Sequence, residues 1–136
     1  MNLQDAKILV TGGSAGIGKA TAKLLIEAGA KVAITGRNVE KLNRVAKEMG
    51  AIPIAFDVSD YEAIPAKAAE TVEALGGIDV LVNNAGIGDF PTMGDIKIEH
   101  FERVFSVNVF GLTLLTQELV KHFTEQKNGH IINIAS

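Results

Sequence analysis

The chain has 136 residues, 47% of them hydrophobic, with no cysteine and a formal net charge of −3 at pH 7. At this length roughly two-thirds of the unfolded surface can be buried, which suits one domain, 1–136, with a real core. The apolar content excludes disorder, and the acidic balance without a Lys/Arg run argues against nucleic acid and anionic membrane surfaces. The lack of cysteine removes disulfides, thiolate metal sites and a Cys nucleophile. The polar start, Met1–Asp5, does not resemble a signal peptide, and every apolar run is far shorter than a membrane span, so a cytoplasmic location is expected.

Short β-branched runs alternate with longer helical stretches. Ile8–Val10 is the first strand core, and from Ile17 apolar residues recur at Ala20, Leu24 and Ala28 at helical spacing, with Gly29 as the stop. Lys31–Thr35 is the second strand. Asn38 caps a helix whose buried face is Leu42, Val45 and Met49, ended by Gly50. Ile52–Phe56 is the third strand, and Pro53 places it at a sheet edge. Asp60 caps a helix running to Leu75, with Ile64, Ala68, Val72 and Leu75 inward and Pro65 in its first turn. Ile78–Val82 is the fourth strand, and a Gly- and Asn-rich loop, Asn83–Gly94, follows it. A long helical region covers Glu99–Glu125, weakened in the middle by Asn108 and Gly111. Its stripe Leu112, Leu115, Leu119 and Phe123 reads as core in preference to a docking surface. Ile131–Ile134 is the fifth strand. Nearly all-apolar strands alternating with helices predict an α/β fold, a doubly wound parallel sheet of about five strands.

The sharpest motif is Thr11-Gly12-Gly13-Ser14-Ala15-Gly16-Ile17-Gly18, between the first strand and the first helix. Glycine there permits a tight turn and close backbone approach to a pyrophosphate, and a helix N-terminus adds its positive end. The spacing is Gly12-x-x-x-Gly16-x-Gly18, not the common G-x-G-x-x-G, and taken alone the motif also fits a glycine-rich turn with no ligand.

The same stretch resembles the cofactor loop of the short-chain dehydrogenases/reductases. Three further matches follow in order: Asn83-Asn84-Ala85-Gly86, Asn108 within Phe105-Ser106-Val107-Asn108, and Ile131-Ile132-Asn133-Ile134-Ala135-Ser136. The resemblance covers essentially the whole chain and is to the N-terminal part of the family, so a Rossmann-like sheet truncated relative to the family is expected. It implies a nicotinamide dinucleotide held by Gly12, Ser14, Gly16, Ile17, Gly18, Asp57, Val58, Asn84, Ala85 and Gly86, with Asn108 and Ser136 as active-site residues. It implies hydride transfer between the nicotinamide and a carbonyl or alcohol substrate, and a homo-oligomer. Asp57-Val58 would lie beside the adenine; read without the family, the pair is equally a polar turn.

The cofactor choice rests on Thr35-Gly36-Arg37-Asn38. Many NAD-binding units carry an acid there to hold the ribose 2′-OH; here Gly36 carries no charge to repel a 2′-phosphate, and Arg37 can pair with one. NADP(H) is therefore favoured over NAD(H), the alternative for Arg37 being an ordinary solvated side chain.

The family's Tyr-x-x-x-Lys pair, a general acid/base and the lysine that lowers its pKa, is expected beyond Ser136. The one tyrosine, Tyr61, has Pro65 and not Lys four residues on, and reads as a helix-start residue. His100, His122 and His130 show no ligand spacing, so no metal is expected. Ser14 lacks a His–Asp partner pattern, which argues against a hydrolase. An NADP(H)-dependent oxidoreductase is the leading reading. The alternatives are a dinucleotide-binding module without chemistry and an assembly subunit docking through an apolar face over the fourth and fifth strands.

Overall fold

The computed structural model describes residues 2–135. Five parallel strands form one sheet: β1 (Lys7–Val10), β2 (Lys31–Gly36), β3 (Ile52–Ala55), β4 (Val80–Asn83) and β5 (His130–Asn133), in the order β3-β2-β1-β4-β5. The helices are α1 (Gly16–Glu27), α2 (Val39–Met49), α3 (Ile64–Leu75), α4 (Ile98–Phe105) and α5 (Leu112–Gln126). A 3-10 turn, Tyr61–Ala63, leads into α3, and a π-helical turn, Ser106–Gly111, joins α4 to α5. This is the expected Rossmann-like α/β architecture.

Strand alternation divides the core into two layers. Leu9, Ala33, Ile54 and Leu81 point to the face covered by α3 and α5, where Ile64, Ala68, Leu75, Leu115, Leu119 and Phe123 are buried. Ile8, Val10, Val32, Ile34, Val80 and Val82 point to the other face, against Ala22 of α1 and Leu42, Val45 and Ala46 of α2. The α5 stripe is therefore core, with Leu112 only half-buried. Pro53 sits on β3, at a sheet edge, where its missing N–H costs no ladder bond.

Two expectations are corrected. Ile17, Ala20, Leu24 and Ala28 share a face of α1, but all four are exposed, Ile17 and Leu24 at 65% and 66%. The face laid on the sheet is Gly18, Ala22, Leu25 and Ile26, because the Gly12–Gly18 turn can approach the strands only through a residue without a side chain. Asp60 makes no side-chain cap. Asp57 turns the chain instead, its Oδ1 accepting the Ser59 N–H at 2.9 Å and the Ser59 Oγ–H at 2.7 Å. Asn38 does cap α2, its Oδ1 accepting the Lys41 N–H at 3.1 Å, and Gly50 ends that helix with φ of 80°.

Sheet order places a topological switch between β1 and β4. Consecutive connections depart there in opposite directions, and a crevice opens beyond the strand ends.

Candidate cofactor and active site

That crevice holds two adjoining cavities. One, of about 340 Å³, is lined by Gly12, Ser14, Gly16, Gly36, Arg37, Asp57, Val58 and Val107. The other, of about 630 Å³, is lined by Ile17, Asn108, Leu112, Asn133, Ile134 and Ala135, with Phe90 at its mouth. Asn84, Ala85, Gly86 and Ile87 border both and form the ridge between them. Every site residue expected from the sequence lines one of the two except Gly18 and Ser136. Ser136 lies outside the described residues.

The glycines act in different ways. Gly12 has φ of 65°, and a Cβ there would sit 2.9 Å from the Ala85 Cα. Gly16 has φ of 54° with open space around it, so it turns the backbone beside the cavity without packing on anything. Gly18 is a spacer: its Cβ would meet the Asn84 Nδ2 at 2.3 Å and the Gly12 carbonyl oxygen at 2.4 Å. No side chain caps the N-terminus of α1, and its first turn carries no acid. The helix's leading N–H groups and its positive end are thus left for an anion at the cavity wall.

A buried latch ties the glycine loop to the turn after β4. The Thr11 Oγ1 accepts the Asn84 N–H at 3.0 Å and the Ala85 N–H at 2.9 Å. Asn84 Nδ2 donates back to the carbonyls of Thr11 at 3.1 Å and Gly12 at 3.3 Å. Gly12 N–H donates to the Thr35 Oγ1 at 3.1 Å. Behind the ridge, buried Asn83 donates through Nδ2 to Thr116 Oγ1 at 3.0 Å and to Asn133 Oδ1 at 2.9 Å, joining β4, α5 and β5. Among the described residues no buried side-chain polar atom lacks a partner. Thr11, Thr35 and Asn83 stand in motifs read from the sequence, but that reading assigns no role to their side chains. Their positions at or just past the ends of strands, where a polar side chain can reach the adjoining turns, are the only signal.

Asn108 lies in the π turn between α4 and α5. Its Nδ2 donates to the Ile87 carbonyl and its Oδ1 accepts the Ile87 N–H, each at 2.9 Å, so one side chain clamps both backbone groups of that residue. The loop beyond Ile87 is tied to α4 by the Arg103–Asp89 ion pair, and the His100 Nδ1 accepts the Lys97 N–H at 2.9 Å at the start of α4. Tyr61 opens the 3-10 turn that leads into α3, and its hydroxyl donates to the Ser106 carbonyl at 3.2 Å. Arg37 stands exposed at the lip of the smaller cavity and, among the described residues, pairs with no carboxylate.

The family model for short chain dehydrogenase matches residues 6–136. The chain belongs to the short-chain dehydrogenase/reductase family. Among its relatives, mouse dehydrogenase/reductase SDR family member 7B is 36% identical, over 98% of this chain and 44% of the relative. Glucose 1-dehydrogenase of Gluconobacter oxydans (strain 621H) is 43% identical, over 93% of this chain and 51% of the relative. A short-chain type dehydrogenase/reductase from Mycobacterium marinum superposes with a TM-score of 0.92 at 37% identity, covering 99% of this chain and 57% of that one. The 3-ketoacyl-(acyl-carrier-protein) reductase of Brucella melitensis, solved with NADH, superposes with a TM-score of 0.91 at 35% identity, over 98% of this chain and 58% of that one. The chain spans about half the length of the curated relatives it matches. The family binds a nicotinamide dinucleotide, and the Brucella melitensis reductase holds NADH. No helix among the described residues is long and apolar enough to cross a membrane.

Proposed function

We propose that the chain carries the cofactor site of an NADP(H)-dependent oxidoreductase acting on a carbonyl or alcohol. The observation that supports this best is the ridge Asn84–Ile87, which divides the crevice into a cavity lined by the glycine loop, Asp57 and Val58 and a second one bordered by Asn108. A dinucleotide laid across that ridge would rest its pyrophosphate on the glycine loop and the bare end of α1. Its adenine would lie toward Asp57 and Val58, and its nicotinamide toward Asn108 and Ile134. Bound there, the nicotinamide would supply hydride exchange with the substrate carbon.

NADP(H) is preferred to NAD(H) because the ribose end offers Gly36 and Arg37, which pairs with no carboxylate among the described residues, where an acid would hold a 2′-OH. In this reading Asn108 holds the water that relays protons, Ser136 orients the substrate oxygen, and a Tyr-x-x-x-Lys pair outside these residues exchanges the proton. Tyr61 is not that tyrosine. Its hydroxyl is bonded to the Ser106 carbonyl, and Pro65 occupies the position a lysine would need. The full-length protein is read as a homo-oligomer.

Fluorescence titration of the purified chain with NADPH and with NADH tests the reading. Saturable binding is expected, with NADPH the tighter ligand. Arg37→Glu should weaken NADPH roughly 10- to 100-fold, the worth of a charge-assisted hydrogen bond, and leave NADH nearly unchanged. Equal affinity of the variant and the parent chain for NADPH would remove Arg37 from the site and the NADP(H) preference with it.

A further inference from the structure

The π turn Ser106–Gly111 places consecutive residues on opposite halves of the crevice. Val107, buried at 6% exposure, lines the cavity that holds Asp57 and Val58. Asn108 lines the other cavity and clamps Ile87. A π turn accommodates an extra residue per turn relative to an α-helix, and such turns persist only where their surroundings support them.

Two contacts support this one, and both come from the loop that borders the adenine-side cavity. At the turn's C-terminal end, Gly111 lies so close to the Val58 carbonyl that a Cβ would sit 2.3 Å from its oxygen and 2.8 Å from its carbon. At the other end, the Tyr61 hydroxyl donates to the Ser106 carbonyl at 3.2 Å. The 57–61 loop therefore braces both ends of the segment from which Asn108 projects. On the far side, Asn108 meets the β4 turn: a Cβ on Gly86 would lie at ordinary contact distance, 3.4 Å, from its Oδ1, and the two bonds to Ile87 hold the side chain there.

We propose that Tyr61 and Gly111 are positioning residues for Asn108, through which the adenine-side loop sets the geometry of the Asn108–Ile87 clamp. This inference builds on the cofactor reading above for its functional meaning, though the bracing itself does not require a ligand. A ligand that orders Val58 and Tyr61 would tighten the clamp at the other end of the crevice, so occupancy of the adenine end prepares the nicotinamide end.

Amide hydrogen exchange and NMR on the 136-residue chain test this with Tyr61→Phe, which removes one hydroxyl and keeps the ring. In the free protein, exchange at the Ile87 N–H should rise about two- to ten-fold, the usual range for losing one hydrogen bond, while the sheet amides of Leu9 and Ala33 stay unchanged. Unchanged protection at Ile87, or an equal rise in the sheet, overturns the proposal. In a second arm adenosine 2′,5′-bisphosphate is added, a probe too short to reach Asn108. The Asn108 side-chain amide and Ile87 N–H should shift in the parent chain and shift less in Tyr61→Phe. Shifts at Gly12 and Asp57 without any at Asn108 or Ile87 would overturn the coupling. No shift at Gly12 or Asp57 would instead sink the adenine-site reading, and the exchange arm would then decide the bracing alone.

Discussion

The Thr11 hydroxyl accepts two backbone N–H groups from a turn more than 70 residues away, at 3.0 and 2.9 Å, and it is buried at 2% exposure. Thr11→Val keeps the shape and strands both donors. Each buried unsatisfied donor costs about 1–3 kcal/mol, so chemical denaturation should show a loss of that order or somewhat more, with Thr11→Ser losing much less. Weaker dinucleotide binding should accompany it, because the turn that Thr11 holds is the ridge between the two cavities. A valine variant as stable as the parent would mean that water satisfies the donors. This role was not legible in the sequence. A threonine at the end of a strand reads as a β-former, and its partner is set by tertiary folding. The glycines of the loop stood out by type and spacing, and Asn84 and Asn108 by their resemblance to the family's motifs; the structure brings them together at the crevice. Gly18 was legible as part of the motif, but its task as a spacer against Asn84 emerges only from the packing.

At the scale of elements, α1 sets helix propensity against contact. Alanine within a helix is favoured over glycine by about 1 kcal/mol, so Gly18→Ala should stabilise α1 taken alone. In place, the added methyl meets the Gly12 carbonyl oxygen at 2.4 Å, and that atom is backbone and cannot rotate away. Overpacking of this kind costs about 1–3 kcal/mol, so the net change is expected to be destabilising, with NADPH binding lost more completely than stability. A thermal midpoint at or above that of the parent, with binding retained, would contradict this. The existence and type of the regular elements followed from apolar periodicity, and the α2 cap followed from Asn38. The inward face of α1 did not. Its apolar residues occupy more than one side of the helix, and periodicity cannot say which side meets the sheet. The helix-weakening pair Asn108 and Gly111 marked the break between α4 and α5, though not that it would be a π turn.

Across the whole molecule, the two cores are unequal at one edge. No residue of β5 joins either core, and Ile131, Ile132 and Ile134 are 42%, 49% and 41% exposed. With Leu3, Ile8, Leu25, Val80 and Val82 they form a mainly apolar groove of about 310 Å³ on the α1 side of the sheet. An apolar site of this kind should bind 8-anilinonaphthalene-1-sulfonate with enhanced fluorescence, and Ile132→Lys should reduce the signal while leaving the far-ultraviolet circular dichroism unchanged. Fluorescence unaffected by the lysine would place the dye elsewhere. The sheet's parallel, doubly wound order was legible because β-branched runs alternate with helices, and the edge position of β3 because of Pro53. That both faces are covered followed from the same reading, but which residues of each strand face which layer did not, since strands apolar on both sides give no alternation to read.

The latch between Thr11 and Asn84 also bears on how the chain acquires its site in time. The glycine loop is local in sequence, yet its brace comes from residues 73 and 74 positions downstream. Closing so long a loop carries an entropic cost that only the docking of β4 beside β1 offsets. The segment richest in recognisable sequence is therefore expected to reach its native form late in refolding, with pulse-labelled amide exchange at Gly12 showing protection no earlier than at Asn84. Competence to bind a dinucleotide marks the completion of the β1–β4 pairing, and a nascent chain that has made only the first βαβ unit carries the motif without yet having the site.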